Sequence, residues 1–206
     1  MSDNEEMLWK PLSITEIKNV FSAIPIQWWI AGGWAIDIYL QKITRAHDDI
    51  DSVILRTDHL ILHQYLNSEW ELFIAYKGQL VPWNKNEQLN PHFDDIWVKK
   101  KGESTWAFQV MLLDTEGMDW IYKRKNTIRK SIKDIGLKSL SGIPFLKPEI
   151  QLLYKGGSSV IREKDVYDLK NILPNLNANK RLWLKESLNI QNPNGHKWIE
   201  MIDSYF

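Results

Sequence analysis

The sequence predicts an α/β fold of the α+β type: a small mixed β-sheet domain with flanking helices over residues 1–147, then a helical unit over residues 148–206. Three observations carry this reading. A short apolar run at Trp28–Ala31 is broken by Gly32-Gly33, followed by helical spacing over Ala35–Leu40 and a second apolar run at Val53–Leu55. That is strand, helix, strand within one short unit. Several further runs rich in strand formers lie between Trp70 and Phe145, separated by turn residues. From Pro148 onward the pattern turns helical.

Taken in order, residues 1–12 are polar and expected to fray. Ser13 is placed to cap a helix over Ile14–Ala23, with Glu16 at the reciprocal capping position and Pro25 beyond its end. The central strand begins near Gln27. After Leu55, Thr57 is a candidate cap for a helix reaching about Asn67. Trp70–Tyr76 reads as a strand, and 77–91, with Gly78, Pro82 and Pro91, as a loop or mobile flap. Ile96–Lys100 and Trp106–Leu113 read as a hairpin around Gly102. Asp114–Gly117 is a turn, Trp120–Lys123 and Ile128–Ser131 a short pair, and Gly142–Phe145 a last strand. Pro148 suits the first position of a helix that ends at Gly156-Gly157. Further helices are expected over Glu163–Leu173, Ala178–Leu188 and Lys197–Ser204.

Composition bounds the function. With 44% hydrophobic residues over 206, the chain can bury a core. No apolar run is long enough to span a membrane. The start, MSDNEEMLWK, lacks the basic and apolar regions of a signal peptide, so the cytoplasm is the expected compartment. The absence of cysteine excludes disulfides and thiolate metal sites. Lys+Arg and Asp+Glu both total 26, so the basic excess usual in nucleic-acid binders is missing. That favours a small-molecule partner. Most of the 11 Trp are expected in the core, with some left to line a pocket.

The chemistry concentrates in WWIAGGWAIDIYLQKITRAHDDIDSVIL, Trp28 to Leu55. Side chains alternate along a strand, so Asp49 and Asp51 share a face while Ile50 points into the core. Two adjacent carboxylates repel unless a cation neutralises them, and Mg²⁺ is the hard ion that also holds substrate phosphates. Gly32 and Gly33, where a strand feeds a helix, let a phosphate approach backbone N–H groups. Arg45 can clamp phosphate as a fork of donors, or pair with Asp48 or Asp37. Asp37 is expected to tie its helix to the Arg45 turn. No histidine belongs to a metal-spaced cluster.

The order and spacing of these parts resemble the nucleotidyltransferase superfamily of DNA polymerase β type. GGWAID followed by TRAHDDID is most similar to the aminoglycoside-2''-adenylyltransferase-like family and its lincosamide nucleotidyltransferase relatives. A second pattern, Lys155 at a helix end before Lys164-Asp165 and Asp168-Leu169, also resembles that family. Physically, Lys155 or Lys164 can supply positive charge over a triphosphate, while Asp165 and Asp168 fix that lysine or Arg162 by ion pairs.

The resemblance implies an Mg²⁺-dependent enzyme that moves a nucleoside monophosphate, AMP from ATP first, to a hydroxyl of a small molecule. An aminoglycoside is the first acceptor it suggests. Asp49 and Asp51 would be the catalytic, metal-binding pair, with Gly32, Gly33, Arg45, Lys155 and Lys164 on the nucleotide. Many superfamily members place a third carboxylate on a neighbouring strand, and the position that aligns with it is Gln109. Asp95, Asp114 or Glu149 then supplies the base, or activity is lost. Two rivals follow: a toxin–antitoxin type transferase acting on tRNA or protein, and a catalytically weak nucleotide-binding relic.

Overall fold

The computed structural model describes residues 8–206. In chain order its elements are α1 (Ile14–Val20), β1 (Trp28–Ile30), α2 (Gly32–Leu40), β2 (Asp51–Leu55), α3 (His59–Leu66), β3 (Trp70–Tyr76), β4 (Gln79–Pro82), β5 (Asp95–Lys100), β6 (Trp106–Glu116), β7 (Asp119–Ile121), β8 (Arg129–Ser131), β9 (Gly136–Lys138), β10 (Pro144–Leu146), α4 (Pro148–Gly156), α5 (Glu163–Ile172), α6 (Ala178–Gln191) and α7 (Ile199–Asp203). The α/β class is as the sequence predicts, and most strand pairs are antiparallel.

The chain divides into two compact units, and the division differs from the 147/148 boundary read from composition. One unit holds residues up to Trp28 together with His47–Leu113; the other holds Trp29–Ala46 with Asp114–Phe206. Helix α2 belongs with the C-terminal helices because it packs on α4 and α5. Its apolar residues Ala35 and Ile36 are almost fully buried.

The first unit is built on the strand order β4–β3–β5–β6–β2, with only β2 and β6 parallel. Alternation decides its two faces. Leu72, Ile74, Ile96, Val98, Phe108 and Val110 are buried on one side. Their neighbours Phe73, Ala75, Asp95, Trp97, Gln109 and Met111 are only half-buried on the other. Residues 8–12, expected to fray, instead bond along β6: Lys10 N–H donates to the Trp106 carbonyl and Leu12 N–H to that of Ala107, both at 2.9 Å. The expected state of residues 1–7 lies outside the described residues. Ser13 and Glu16 form the reciprocal cap, with Glu16 Oε2 accepting from Ser13 N–H at 2.7 Å. Helix α1 stops at Val20 rather than Ala23.

The segment read as a loop or flap contains strand β4. Lys77 and Gly78 both take positive φ, 49° and 76°, which is the backbone of a tight hairpin turn. Trp83 then enters the core, 4% exposed. The carbonyl of Trp83 meets His63 Nε2 at 3.0 Å, and Gln88 meets His59 Nε2 at 3.1 Å. The segment is thus strapped to α3.

In the second unit β1 pairs in parallel with β10, which pairs with β9. The last residues of β6, Asp114–Glu116, continue as strand and pair with β7, so the expected turn shrinks to Gly117-Met118. Gly156-Gly157 does end α4. Its reason is packing rather than a left-handed cap, because a Cβ on Gly157 would lie 2.1 Å from the Tyr122 hydroxyl. No helix among the described residues is long and apolar enough to cross a membrane.

Candidate active site

In the first unit, the acidic pair sits where β2 begins. Ile50 is fully buried and its carbonyl accepts Gln109 N–H at 3.0 Å, while Asp49 and Asp51 on either side are half-buried. Asp49 precedes the strand rather than lying in it. The expected alternation nevertheless holds in burial.

Asp51 is in register with Gln109 on the parallel strand β6, and Gln109 is in register with Trp97 on β5. Residues paired in register project to the same face. The Gln109 amide therefore lies beside Asp51, as expected of the residue standing where an acid is often found. Its Nε2 donates to Asp95 Oδ1 at 3.1 Å. Asp95 thus joins Asp51 on the open face of one sheet, with Trp97, Phe73 and Met111 around them. Trp97 lies in an aromatic row, 4.8 Å from Trp9 and 5.4 Å from Trp106 between ring centroids.

Among the described residues, no group of three or more His, Asp or Glu side chains is assembled to hold a metal. The half-exposed carboxylates are hard oxygen donors. That set suits an ion such as Mg²⁺, which keeps several waters and takes one or two protein carboxylates together with substrate phosphates.

In the second unit, Gly32 and Gly33 are the first residues of α2 rather than a break before it. Ala31 is extended and caps the helix, and Gly32 takes φ +65°, a conformation that favours glycine. The N–H of Gly32 is not held open for a phosphate: it donates to Gln151 Oε1 on α4 at 2.9 Å, in a buried setting. Asp37 does tie α2 to the following turn, its Oδ1 accepting from Thr44 N–H at 3.1 Å and from the Thr44 hydroxyl at 2.5 Å.

That turn delivers Arg45 to a buried ionic network. Arg45 Nε and Nη2 donate to the two oxygens of Asp168 at 3.2 and 3.3 Å. Lys155 Nζ lies 2.9 Å from Asp168 Oδ2 and 3.2 Å from Asp165 Oδ1. Asp165 also accepts from Arg162 at 2.9 and 3.0 Å. Burial would raise the Asp165 carboxyl, but the Arg162 hydrogen bonds and the Lys155 charge outweigh it and hold it at about 2. The sequence expectation of Lys155 as a direct phosphate ligand is thereby revised. Its ammonium is committed to two carboxylates, so its charge reaches Arg45 through Asp168.

Lys164 lies in the first turn of α5. It lines a groove of about 630 Å³ with Thr44, Arg45, Glu163, Tyr167 and Lys170. The Tyr167 hydroxyl donates to the Thr44 carbonyl at 3.1 Å, closing one wall. Three cations against one acid make the groove suited to an anion. Of the other acids considered as a base, Asp114 is half-exposed in the second unit. Glu149 is only 2% exposed, and its Oε2 makes no hydrogen bond. Sequence reasoning missed Gln151, Tyr167 and Lys170. Each is recruited from far along the chain or by helix geometry, which no local pattern announces.

The mixed α/β fold matches that of nucleotidyltransferase-like structures. The family model for aminoglycoside-2''-adenylyltransferases matches residues 13–69, which contain both GGWAID and TRAHDDID. A lincosamide resistance protein of Staphylococcus haemolyticus is 22% identical over 158 residues, covering 76% of this chain and 89% of the relative. Two solved structures share the fold. One is the lincosamide antibiotic adenylyltransferase LnuA with lincomycin bound: TM-score 0.53, 19% identity, 77% of this chain and 93% of the other. The second is the antibiotic-resistance factor ANT(2'')-Ia in solution: TM-score 0.56, 15% identity, 94% and 97%. The resemblance to antibiotic nucleotidyltransferases read from the motifs is borne out by these likenesses.

Proposed function

We propose that the chain transfers a nucleoside monophosphate, AMP from ATP, to a hydroxyl group of a small-molecule antibiotic. One observation carries this reading: Asp51 and Asp95 stand on the open face of a single sheet, linked through Gln109. Asp49 and Asp51 would hold Mg²⁺. Bound there, the ion would neutralise the phosphate oxygens as charge develops on them. Asp95 accepts the proton of the acceptor hydroxyl as its oxygen attacks the α-phosphorus, and pyrophosphate leaves. Within the second unit, the groove of Arg45, Lys164 and Lys170 is suited to an anion such as phosphate. In the same unit the start of α2 is a positive dipole end, with Gly33 rather than Gly32 as its open backbone donor. Lys155 acts as the anchor of Arg45.

LnuA is a lincosamide antibiotic adenylyltransferase with lincomycin bound, and the matching family model is that of aminoglycoside-2''-adenylyltransferases, so the acceptor here is drawn from the same kind of compound. Half-exposed Trp97 and Phe73 beside the acids favour a hydroxylated ring that also has an apolar flank. Lys+Arg and Asp+Glu balance at 26 each, so a tRNA acceptor is the weaker reading.

The experiment is transfer from labelled nucleoside triphosphates with Mg²⁺ to a panel of lincosamides and aminoglycosides. Wild type should label at least one acceptor and release pyrophosphate. Asp51→Asn should abolish transfer while the fold persists. Equal rates in wild type and Asp51→Asn would remove the acidic pair from the chemistry.

A further inference from the structure

We propose that Gln109 is a positioning residue whose side-chain amide orients Asp95 as the general base. This rests on the transfer reaction above. By resemblance, Gln109 stands where many superfamily members carry an acid. The geometry gives it a different task, because the acid is present one strand further on.

Gln109 occupies the middle strand of three. Asp51 is its register partner on β2, Trp97 its partner on β5, and Asp95 the diagonal neighbour two residues from Trp97. Its Nε2–H reaches Asp95 Oδ1 at 3.1 Å. The strand beneath it is fixed, since Phe108 and Val110 on either side are fully buried and Ser52 Oγ donates to the Gln109 carbonyl at 3.0 Å. A side chain on such a strand has little freedom beyond its own rotamers. The amide therefore does two things that an acid at 109 would not. It donates a hydrogen bond to a carboxylate, and it separates Asp51 from Asp95 without adding a third negative charge.

Among the described residues, Glu71 on β3 and Lys99 on β5 are also charged groups on this side of the sheet, and they pair with each other at 3.3 Å. Arg56, after β2, is held by Asp94 and the Phe93 carbonyl. A consequence follows for engineering. Restoring the supposedly missing acid at 109 lowers activity at neutral pH, because the new charge faces both carboxylates.

Two variants and one spectroscopic signal test this. Gln109→Leu keeps the volume and removes the donor, and kcat should fall by about tenfold while the KM for the nucleotide is unchanged. Gln109→Glu should shift the acid limb of the kcat/KM pH profile upward by about one unit and recover activity as pH rises. Independently of turnover, the Gln109 side-chain amide resonance should move on Asp95→Ala and not on Asp114→Ala. Wild-type kcat in Gln109→Leu, a Gln109→Glu enzyme faster than wild type at neutral pH, or an amide signal indifferent to Asp95→Ala each overturns the proposal. A wild-type chain that labels no acceptor overturns the base role along with the transfer reaction. The Asp95-dependent amide signal would persist in that case, so the two failures read differently.

Discussion

Lys155 Nζ lies 2.9 Å from Asp168 Oδ2, with both side chains almost wholly buried, at 6% and 0% exposure. Asp168 simultaneously holds Arg45, the arginine of the TRAHDDID segment. Helices α4 and α5 and the turn after α2 are therefore joined through one carboxylate. Buried charges are costly unless each is paired. Here two acids answer three cations, and the third, Arg162, is largely exposed to water at 56%.

Removing Asp168 should be severe. Asp168→Ala leaves Lys155 with only Asp165 and strips Arg45 of its carboxylate, and breaking a buried pair in this way costs about 3–5 kcal/mol. Urea unfolding at neutral pH measures it. The double variant Lys155→Met/Asp168→Leu should lose less than Asp168→Ala alone, because no unpaired lysine is left in the interior. A double variant as unstable as the single one would mean that packing, rather than charge, is what Asp168 supplies.

Acid should loosen the same network in a defined window. The Asp165 carboxyl titrates at about 2, below its ordinary 3.8, chiefly through Arg162 and Lys155 working against burial. A depressed carboxyl contributes stability that is complete above its unfolded value and is lost as pH falls through its folded value. The difference corresponds to about 2 kcal/mol, disappearing between roughly pH 4 and pH 2. Stability measured by denaturant across that range should fall less steeply in Asp165→Asn than in wild type. Parallel curves for the two proteins would remove Asp165 from the acid response.

What the sequence made legible was whatever local chemistry determines. Ser13 and Glu16 close a cap three residues apart, Pro148 opens α4, and buried Ile50 separates two half-exposed aspartates, all within a few residues of each other. What it concealed depends on distant partners. Gly32 looked like a phosphate donor until Gln151, 119 residues away, took its N–H. Lys155 looked like a phosphate ligand because its place before Lys164-Asp165 and Asp168 resembles the family pattern, whereas its two carboxylate partners on the next helix are visible only in the fold. Asp95 was one acid among three until strand register placed it diagonal to Gln109. Strand β4 was hidden because Gly78 and Pro82 suggest a loop, while the tight turn at Lys77-Gly78 in fact folds the chain back on β3.

The last prediction concerns the groove on α5. Lys164 and Lys170 stand on either side of Tyr167 along the helix, and Arg45 is held beside them by Asp168. If this groove receives nucleotide phosphates, charge in it should govern nucleotide affinity and not acceptor affinity. Lys164→Gln should raise the KM for the triphosphate several-fold, in the range of about 1 kcal/mol for a partly exposed charge pair, with the acceptor KM unchanged. Lys164→Gln/Lys170→Gln should raise it further and flatten its dependence on salt, since fewer charges remain to be screened. Arg45→Lys should be worse than either single lysine variant, because an ammonium cannot reproduce the two-donor grip on Asp168 that holds this positive charge beside the groove. Steady-state kinetics at two ionic strengths separates these cases. An unchanged nucleotide KM in the double lysine variant would confine phosphate binding to Arg45 and the start of α2, and return Lys164 and Lys170 to the role of solvated charges on a helix face.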